Sequence, residues 1–423
     1  MKNSTYIDNN LIIKDKTKLS HIPNPTPSYE GTFLSPSNLN LEELLKTNGK
    51  KQRFYFHYLY IISTIILLRV INKKISKDDF IPLNYKTLIN IITKRKAKEI
   101  LNDLKNWGII ESDSTWIKGI KSTGYKLNKS YLATGFKKVK VTDKLINKKM
   151  NNLRLLQQAE AIEAGADYHH LYSHLLNVKI DYKAALDYIE KNYLYFTDEF
   201  EARKLQIELI NDGNLFFKVD KKGKRAHTNL TNLSSDLRQF ITYKGAKLAQ
   251  IDMKNSQPFL LNLLIKDKVV TDEQRMEYKK FKELTEHGRF YEFLMEKFDV
   301  EDVNRKEFKV LFFGRVFFDV NRQELKKEEK MFQQLFPNIF GWIREMKKED
   351  YTQLAIKLQR AESNVIISEC IRRIRKERPA MFVSTIHDSI VCQPNNLMYV
   401  KQVMEDVFEL NYNLKPSLKQ ELF

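Results

Sequence analysis

The chain has 423 residues, which is too long for one ordinary hydrophobic core and predicts two to four compact units. Its formal net charge of +19 is spread along the chain, so an extended polyanion is favoured over a small acid as a partner. The two cysteines, Cys370 and Cys392, exclude a disulfide framework or a Cys-rich zinc site and are typical of a reducing, cytoplasmic compartment.

The first predicted elements are a polar leader and an apolar helix. Residues 1–48 are rich in Asn, Ser, Pro and Lys and predict a mostly disordered leader. The run FYFHYLYIISTIILL, residues 54–68, is interrupted by polar side chains and is shorter than the roughly 20 residues that span a bilayer. It therefore predicts a core helix, and we expect no membrane partner.

Residues 49–140 follow the order helix, helix, strand, hairpin, strand. We expect helices at residues 85–92 and 95–107, then the strands GIIESD and GYKLN around a basic hairpin. This order resembles a winged helix-turn-helix, whose second helix lies in the major groove of DNA. Lys94, Arg95 and Lys98 then cluster where phosphates of DNA or RNA would lie, with a small protein-binding scaffold as the alternative.

Residues 141–215 are rich in helix-forming patterns and predict a helical connector or thumb. Within this segment His170 and His174 stand four residues apart, a spacing that suits a metal ion on one helix face. No third ligand follows them in an HExxH arrangement. A packed or solvated histidine pair is therefore the preferred interpretation.

Two segments after residue 216 place polar side chains beside apolar runs. KKGKRAHTNLTNLSSDLRQFI predicts a loop that binds a charged molecule, with a solvated loop as the alternative. Its candidate binding residues are Arg225, His227, Asn229 and Arg238. In QIDMKNSQPFLLNLL, Asp252 ends an apolar strand and Pro258 suits the first turn of a helix. Asp252 is therefore presented at a strand tip, either as a catalytic residue or as a helix cap.

Two further segments combine charge with apolar structure. In NRKEFKVLFFGRVFF, two cations and two aromatics recur at every fourth residue and share one helix face. These residues are Arg305, Lys309, Phe313 and Phe317. Such cations can bind a triphosphate and an aromatic ring can stack on a base, although a core helix also explains the aromatics. In MFVSTIHDSIVCQP, two β-rich runs meet at His387 and Asp388, so a hairpin turn presents a carboxylate to a metal ion.

Taken together, these segments resemble the superfamily of family A DNA polymerases and single-subunit phage and mitochondrial RNA polymerases, most closely its small transposon- and virus-encoded members. IDMKNSQPFLL resembles motif A, the segment from Arg305 to Phe317 resembles motif B, and IHDSIV resembles motif C. GKRAHTNL is similar to the segment that holds the primer-template. LQRAESNVIIS is similar to the helix before motif C, whose glutamine, here Gln359, reaches the minor groove. The resemblance covers residues 216–400.

The resemblance implies a catalytic centre with two Mg²⁺ ions, for which Mn²⁺ can substitute, bound by Asp252 and Asp388. Two such carboxylates repel each other unless a cation lies between them. Two ions activate the attacking hydroxyl and stabilise the leaving group. Arg305 and Lys309 would hold the triphosphate, with Lys309 as proton donor or charge clamp. The remaining implied contacts are Gln257, Phe313 and Phe317 to the nucleotide and His387 to the nucleic acid.

The sequence departs from the superfamily pattern at positions that concern the sugar. Gln257 stands where DNA polymerases carry a Glu that blocks a 2′-hydroxyl and where RNA polymerases carry Gly. Phe317 replaces a Tyr, and HDS is the RNA-polymerase form of motif C. Because Gln can still fill the space, the sequence favours deoxynucleotides.

The sequence thus predicts an α+β chain with an N-terminal winged helix-turn-helix, a helical thumb or connector and, at residues 216–423, a right-hand polymerase palm with small helical fingers. The favoured function is a DNA-dependent DNA polymerase that replicates a mobile element or viral genome in a prokaryotic host or virus-infected cell. Its partners would be a template, a primer and nucleoside triphosphates. The alternatives are a primase or phage-type RNA polymerase that uses NTPs, and a replication-initiator DNA-binding protein without catalytic activity.

Overall fold

The computed structural model describes residues 31–71, 79–117, 122–195, 197–300 and 304–423, which form a mixed α and β structure. Contacts divide the chain into two compact units. The first unit comprises Met1–Glu163, Lys179–Phe217 and Asn232–Phe240, and the second comprises Ala164–Val178, Lys218–Thr231 and Ile241–Phe423. These boundaries differ from the predicted ones at residues 140 and 215, because one helix of the predicted connector belongs to the second unit.

The elements up to residue 219 are short strands and longer helices. They are β1 (Thr32–Pro36), α1 (Leu41–Thr47), α2 (Tyr55–Ile71), β2 (Ile81–Pro82), α3 (Tyr85–Leu88), α4 (Lys94–Asn106), β3 (Ile110–Ser112), β4 (Gly124–Leu127), α5 (Lys129–Leu132), β5 (Phe136–Lys140), α6 (Lys144–Ala164), α7 (Ala166–Leu175), β6 (Val178–Ile180), α8 (Tyr182–Asn192), α9 (Asp198–Asn211) and β7 (Phe217–Val219).

The elements from residue 226 onward include most of the strands of the second unit. They are β8 (Ala226–Thr228), α10 (Asn229–Asn232), β9 (Ile241–Tyr243), β10 (Ala246–Lys247), β11 (Ala249–Met253), α11 (Ser256–Ile265), α12 (Asp272–Glu286), α13 (Phe290–Lys297), α14 (Arg305–Phe312), α15 (Lys327–Leu335), α16 (Pro337–Met346), α17 (Gln353–Ser363), α18 (Arg372–Glu377), β12 (Ser384–Ile386), β13 (Ser389–Cys392), α19 (Leu397–Tyr412) and β14 (Leu418–Leu422).

In the first unit, helices α2 and α4 share a hydrophobic core with a three-stranded antiparallel sheet of order β2-β4-β3. Helix α4 buries its apolar face, including Ile100 and Leu104, as its sequence pattern predicts. Thr93 caps its N-terminus by accepting a hydrogen bond from the backbone N–H of Lys96 at 3.3 Å. The helix predicted at residues 85–92 is shorter than expected and ends at Leu88. The basic hairpin residues 118–121 lie outside the described residues.

The prediction of a disordered leader is wrong for residues 31–48. Strand β1 pairs antiparallel with β5, and α1 follows it. Phe33, Leu41 and Leu45 are buried in the core of the first unit, and burial of these side chains stabilises a segment whose composition is otherwise polar. Residues 1–30, the rest of the predicted leader, lie outside the described residues.

The apolar run at residues 54–68 forms a core helix, as predicted. Helix α2 spans Tyr55–Ile71, and Leu59, Ile62 and Ile66 are fully buried in the first unit. In the part of the chain that the structure describes, no helix combines the length and the apolar character needed to cross a bilayer.

The second unit is built on a four-stranded antiparallel sheet of order β12-β13-β11-β14. The central strand β11 pairs with β13, where Ile251 faces Ile390, and with β14, where Asp252 faces Lys419. Helix α19 packs against β11, and α11 packs against α17. A cluster of phenylalanines fills the space around α14 and includes Phe290, Phe308, Phe312 and Phe332, all nearly or fully buried. The sheet and the helix α14 are the two elements that carry the candidate site.

Candidate active site

Strand β11 positions Asp252 beside the hairpin formed by β12 and β13. Ile251 and Met253 are buried, while the Asp252 side chain between them is only half-buried. This alternation follows from the two-residue period of a strand. Ser389, the first residue of β13, donates a hydrogen bond from its hydroxyl to Oδ1 of Asp252. The predicted strand tip is therefore correct, and it faces the predicted hairpin.

Asp388 lies in the two-residue turn between β12 and β13. Ile386 pairs with Ser389, so His387 and Asp388 form the turn itself. His387 has a φ of 56° and its side chain is exposed. Positive φ is a strained region for most residues, and here a tight turn imposes it. The turn presents the Asp388 carboxylate on the side where Asp252 lies.

The electrostatics of Asp388 show that several acids meet at this point. Burial, followed by the negative charges of Glu362 and Asp252, raises the pKa of Asp388 to about 7, while a hydrogen bond from Ser256 opposes this shift. Excess negative charge of this kind is relieved by a bound cation. The structure therefore brings Asp252 and Asp388 together, as the sequence predicted.

The two aspartates fit a magnesium ion by the chemistry of their donors. Mg²⁺ prefers oxygen ligands and is often held by one or two carboxylates, several waters and the phosphates of a substrate. Over the described ranges, no group of three or more His, Cys, Asp or Glu side chains is arranged to enclose a metal ion. Two carboxylates can therefore supply part of the oxygen ligands that Mg²⁺ prefers.

Glu362 on α17 is a site residue that sequence reasoning missed. Its side chain is 1% exposed, and its Oε1 accepts a hydrogen bond from Nε of Arg225 at 2.7 Å. Oε2 accepts from Nη2 of Arg225 and from Nε2 of Gln257, the latter at 3.2 Å. Burial raises the pKa of Glu362, and the guanidinium of Arg225 opposes this shift. The available signal was its position: Leu354, Leu358 and Glu362 recur every four residues on the buried face.

The loop that contains Arg225 is held against α17. Nε of Arg360 donates to the carbonyl of Lys222 at 2.7 Å, and the Ser363 hydroxyl donates to the carbonyl of Gly223 at 2.8 Å. A Cβ atom at Gly223 would lie 2.6 Å from Oε1 of Gln359, so only glycine allows this close approach. Gln359 therefore packs on the loop, and its predicted contact to a minor groove stays a prediction.

The other predicted residues of this loop are distributed over both units. His227 lies on β8 and Asn229 begins α10 in the second unit, where burial lowers the pKa of His227 and leaves Asn229 only 6% exposed. Arg238 lies in a 3₁₀ turn, Ser235–Phe240, that belongs to the first unit. Arg225 is ion-paired with Glu362. The structure thus joins Arg225, His227 and Asn229 in one unit and leaves Arg238 in the other.

Helix α14 presents Arg305 and Lys309, as predicted. Asn304 caps the helix by accepting a hydrogen bond from the backbone N–H of Lys306 at 2.8 Å. Nε of Arg305 donates to Oε1 of Glu292 at 2.5 Å, and its Nη2 donates to Oδ1 of Asn255 at 3.3 Å. Arg305 is 47% exposed, so a ligand can compete for its guanidinium.

The helix that carries the predicted stripe changes its type before Phe317. Helix α14 ends at Phe312, and a π-helical turn spans Phe313–Phe317. Phe317 is fully buried, with its ring centroid 5.9 Å from that of Phe312, and Phe313 is 9% exposed. A π turn adds a residue per turn, so the every-fourth-residue pattern changes face. Phe317 is therefore part of the aromatic core, and its predicted contact to the nucleotide stays a prediction.

The histidine pair of α7 is packed inside the second unit. The ring centroids of His170 and His174 are 4.2 Å apart. Nδ1 of His174 accepts a hydrogen bond from the backbone N–H of Val383 at 3.1 Å. Burial lowers the pKa of His174 and lowers that of His170 to about 4. The pair is thus neutral near pH 7, and His174 fixes the chain immediately before β12.

No family model and no curated protein matches this sequence. Among solved structures, the chain is similar to the POL domain of Pol1 from M. smegmatis in complex with DNA primer-template and dNTP, with a TM-score of 0.39 and 12% sequence identity. The match covers 90% of this chain and 65% of that chain, so this chain spans less than two thirds of the matched structure. A likeness at this TM-score does not define the fold.

Proposed function

We propose that the second unit catalyses template-directed nucleotidyl transfer, as a DNA-dependent DNA polymerase of a mobile element or virus. The observation that carries this proposal is the meeting of Asp252 on β11 with Asp388 in the turn before β13, where the neighbouring Ser389 donates a hydrogen bond to Asp252. Two cations on α14, the exposed Arg305 and the half-buried Lys309, belong to the same unit. A carboxylate pair with separate phosphate-binding cations is the combination that phosphoryl transfer requires.

Each residue has a defined role in this proposal. Asp252 and Asp388 would hold Mg²⁺, which when bound supplies a lowered pKa for the attacking hydroxyl and charge neutralisation at the leaving group. Arg305 and Lys309 bind the polyphosphate and orient it toward the carboxylates. Glu292 and Arg305 form a half-exposed ion pair. A more highly charged polyphosphate displaces Glu292 from the Arg305 guanidinium. Ser389 and Ser256 fix the two aspartates by hydrogen bonds.

The test is extension on a defined DNA template, with and without an annealed primer, with dNTPs or NTPs and Mg²⁺. We expect primer-dependent incorporation of dNTPs, because Gln257 fills the space beside the sugar. Synthesis from NTPs without a primer would instead identify a primase or an RNA polymerase. A chain that binds DNA but extends nothing under any of these conditions would contradict the proposal and favour a replication initiator.

The first unit is proposed to bind nucleic acid through α4. Helices α3 and α4 precede the paired strands β3 and β4, in the order of a winged helix. Lys94, Arg95 and Lys98 are exposed on α4, on the side away from its buried face. The nucleic-acid phosphates are the ligands that such a cationic face attracts.

Replacing these three cations with glutamine should weaken binding to duplex DNA and flatten its salt dependence. Each lost phosphate contact reduces the slope of log K against log salt by about 0.9. Fluorescence anisotropy at several salt concentrations measures both quantities. The matched control is Lys179, Lys183 and Lys191 replaced together, since these are exposed cations elsewhere in the first unit. If the control and the α4 variant lose affinity equally, binding by α4 is rejected in favour of general charge attraction.

A further inference from the structure

Strand β14 lies at one edge of the four-stranded sheet of the second unit, and it pairs with β11 on its inner side. The carbonyl of Ser417 accepts a hydrogen bond from the N–H of Lys254 at 2.9 Å. At the other end, the N–H of Phe423 donates to the carbonyl of Leu248 at 3.0 Å. Because backbone groups alternate in direction along a strand, the odd-numbered residues of β14 point theirs toward β11. The even-numbered residues point theirs toward the open edge of the sheet; they are Leu418, Gln420 and Leu422.

The open edge of β14 combines unused backbone groups with exposed side chains. In the part of the chain that the structure describes, no hydrogen bond engages the outward backbone groups of its even-numbered residues. Lys419 and Glu421 form an ion pair along the strand. Leu422 is 72% exposed, and Met398 of α19 is 68% exposed, with its sulfur 3.6 Å from Nε2 of Gln420. Such an edge is a template on which a further strand can pair.

The sequence of β14, LKQEL, is complementary to itself when it is reversed. If two copies of the strand run antiparallel with Gln420 facing Gln420, then Lys419 of each copy faces Glu421 of the other. In the same register Leu418 faces Leu422 of the second copy. The even-numbered pairs then exchange hydrogen bonds through their outward backbone groups. The Lys–Glu pairs fall at the positions between them, where side chains on neighbouring strands lie closest.

Neighbouring registers are disfavoured by charge. If the twofold axis moves by one residue, either Lys419 faces Lys419 of the second copy or Glu421 faces Glu421, and like charges that face each other are destabilising. We propose that the open edge of β14 binds a second copy of this chain by antiparallel pairing centred on Gln420. Both copies use the same surface, which defines a closed twofold dimer. This interface is independent of the proposed nucleotidyl transfer.

The dimer is expected to be weak. A five-residue strand with its flanking side chains forms a smaller contact than a standard protein interface, so the molecular mass should depend on concentration. The net charge of +19 on each copy also opposes association, and moderate salt screens this repulsion. Sedimentation velocity from micromolar to submillimolar concentration measures the change. We expect the wild type to shift from monomer toward dimer across this range.

Reversing either charge tests the register. Lys419→Glu and Glu421→Lys each place like charges at both facing pairs, and each should raise the Kd of the dimer by at least about tenfold. The double variant restores opposite charges and should dimerise like the wild type. An equimolar mixture of the two single variants should form heterodimers, because an acidic strand then faces a basic one. Lys268→Glu and Glu345→Lys are the matched controls, since these two residues form a surface ion pair elsewhere in the second unit.

Substitutions at Gln420 test the centre of the interface. Gln420→Pro removes an outward N–H and leaves the bonds to β11 intact, so it should abolish the dimer and keep the melting temperature of the monomer. In the proposed register the Cα atoms of the two Gln420 residues lie about 5.5 Å apart, within the range of a disulfide. Gln420→Cys should therefore form a covalent dimer on mild oxidation, because the native Cys370 and Cys392 are buried. The control Asp272→Cys, at an exposed position of α12, should stay monomeric.

Three results would overturn the inference. A wild type that stays monomeric at the highest concentration would show that the charges of β14 keep a second copy away, and the edge would then be closed to other strands or open to a strand of another protein. A dimer that persists in Gln420→Pro would assign the association to a different surface. A wild-type dimer together with single variants that do not associate when mixed would reject the proposed register.

Discussion

Replacing Asp388 with asparagine is expected to reduce primer extension by about a thousandfold or more, because a neutral amide neither binds a divalent cation strongly nor balances its charge. Asp252→Asn should have an effect of the same order, since the two carboxylates meet at one point. Asparagine has the shape of aspartate, so the geometry of β11 and of the turn between β12 and β13 is retained. Single-turnover incorporation with saturating primer-template measures the change.

Stability measurements distinguish a variant that has lost catalytic activity from one that has lost its folded structure. Because burial and neighbouring acids raise the pKa of Asp388 to about 7, the folded state holds a proton that the unfolded state releases from roughly pH 4 upward. The unit therefore loses stability as the pH rises through this window, and Asp388→Asn removes that loss. In the absence of divalent ions, the variant should melt at or above the temperature of the wild type at pH 7.5.

Asp272→Asn is the control for these variants. Asp272 lies at the start of α12, is highly exposed and pairs only with Arg275 on the surface in the described structure. Its replacement should leave extension within about twofold of the wild type, as expected for a surface position. Wild-type rates in either Asp252→Asn or Asp388→Asn would refute the catalytic assignment of that residue.

The local parts of this site could be predicted from the sequence. An apolar run that ends in an acid and is followed by proline indicates a strand tip before a helix, and β11 and α11 have that form. Two β-rich runs around His387 and Asp388 indicate a hairpin, which β12 and β13 form. These signals operate over a few residues, so a single sequence contains them.

The features that the sequence did not reveal depend on distant contacts or on a change of helical period. The pairing of Arg225 with Glu362 joins residues 137 positions apart, and no local pattern specifies it. The burial of Phe317 depends on the π turn after Phe312. This turn interrupts the helical period, although the four-residue spacing of the sequence continues through it. Residues 31–48 are folded because β1 pairs with β5, a strand about a hundred residues later in the chain. In each of these cases, tertiary packing overrides the structure that the local composition favours.

Phe312→Ala is expected to lower the free energy of unfolding of the second unit by about 3–5 kcal/mol, the usual cost of removing a buried aromatic ring. Phe312 is fully buried, and its ring centroid lies 5.3 Å from that of Phe332 and 5.8 Å from that of Phe290. Its loss leaves a cavity that the surrounding rings cannot fill without leaving their own contacts. Calorimetry resolves the transition of this unit from any separate transition of the first unit.

The control for Phe312→Ala is Val310→Ala on the same helix. Val310 is 68% exposed, so its truncation should cost less than about 1 kcal/mol. Equal losses in the two variants would contradict the packing assigned to α14. Since Arg305 and Lys309 occupy the same helix, Phe312→Ala should also raise KM for the nucleotide, whereas Val310→Ala should not. The aromatic cluster would then be the element that keeps the two cations in place for the polyphosphate.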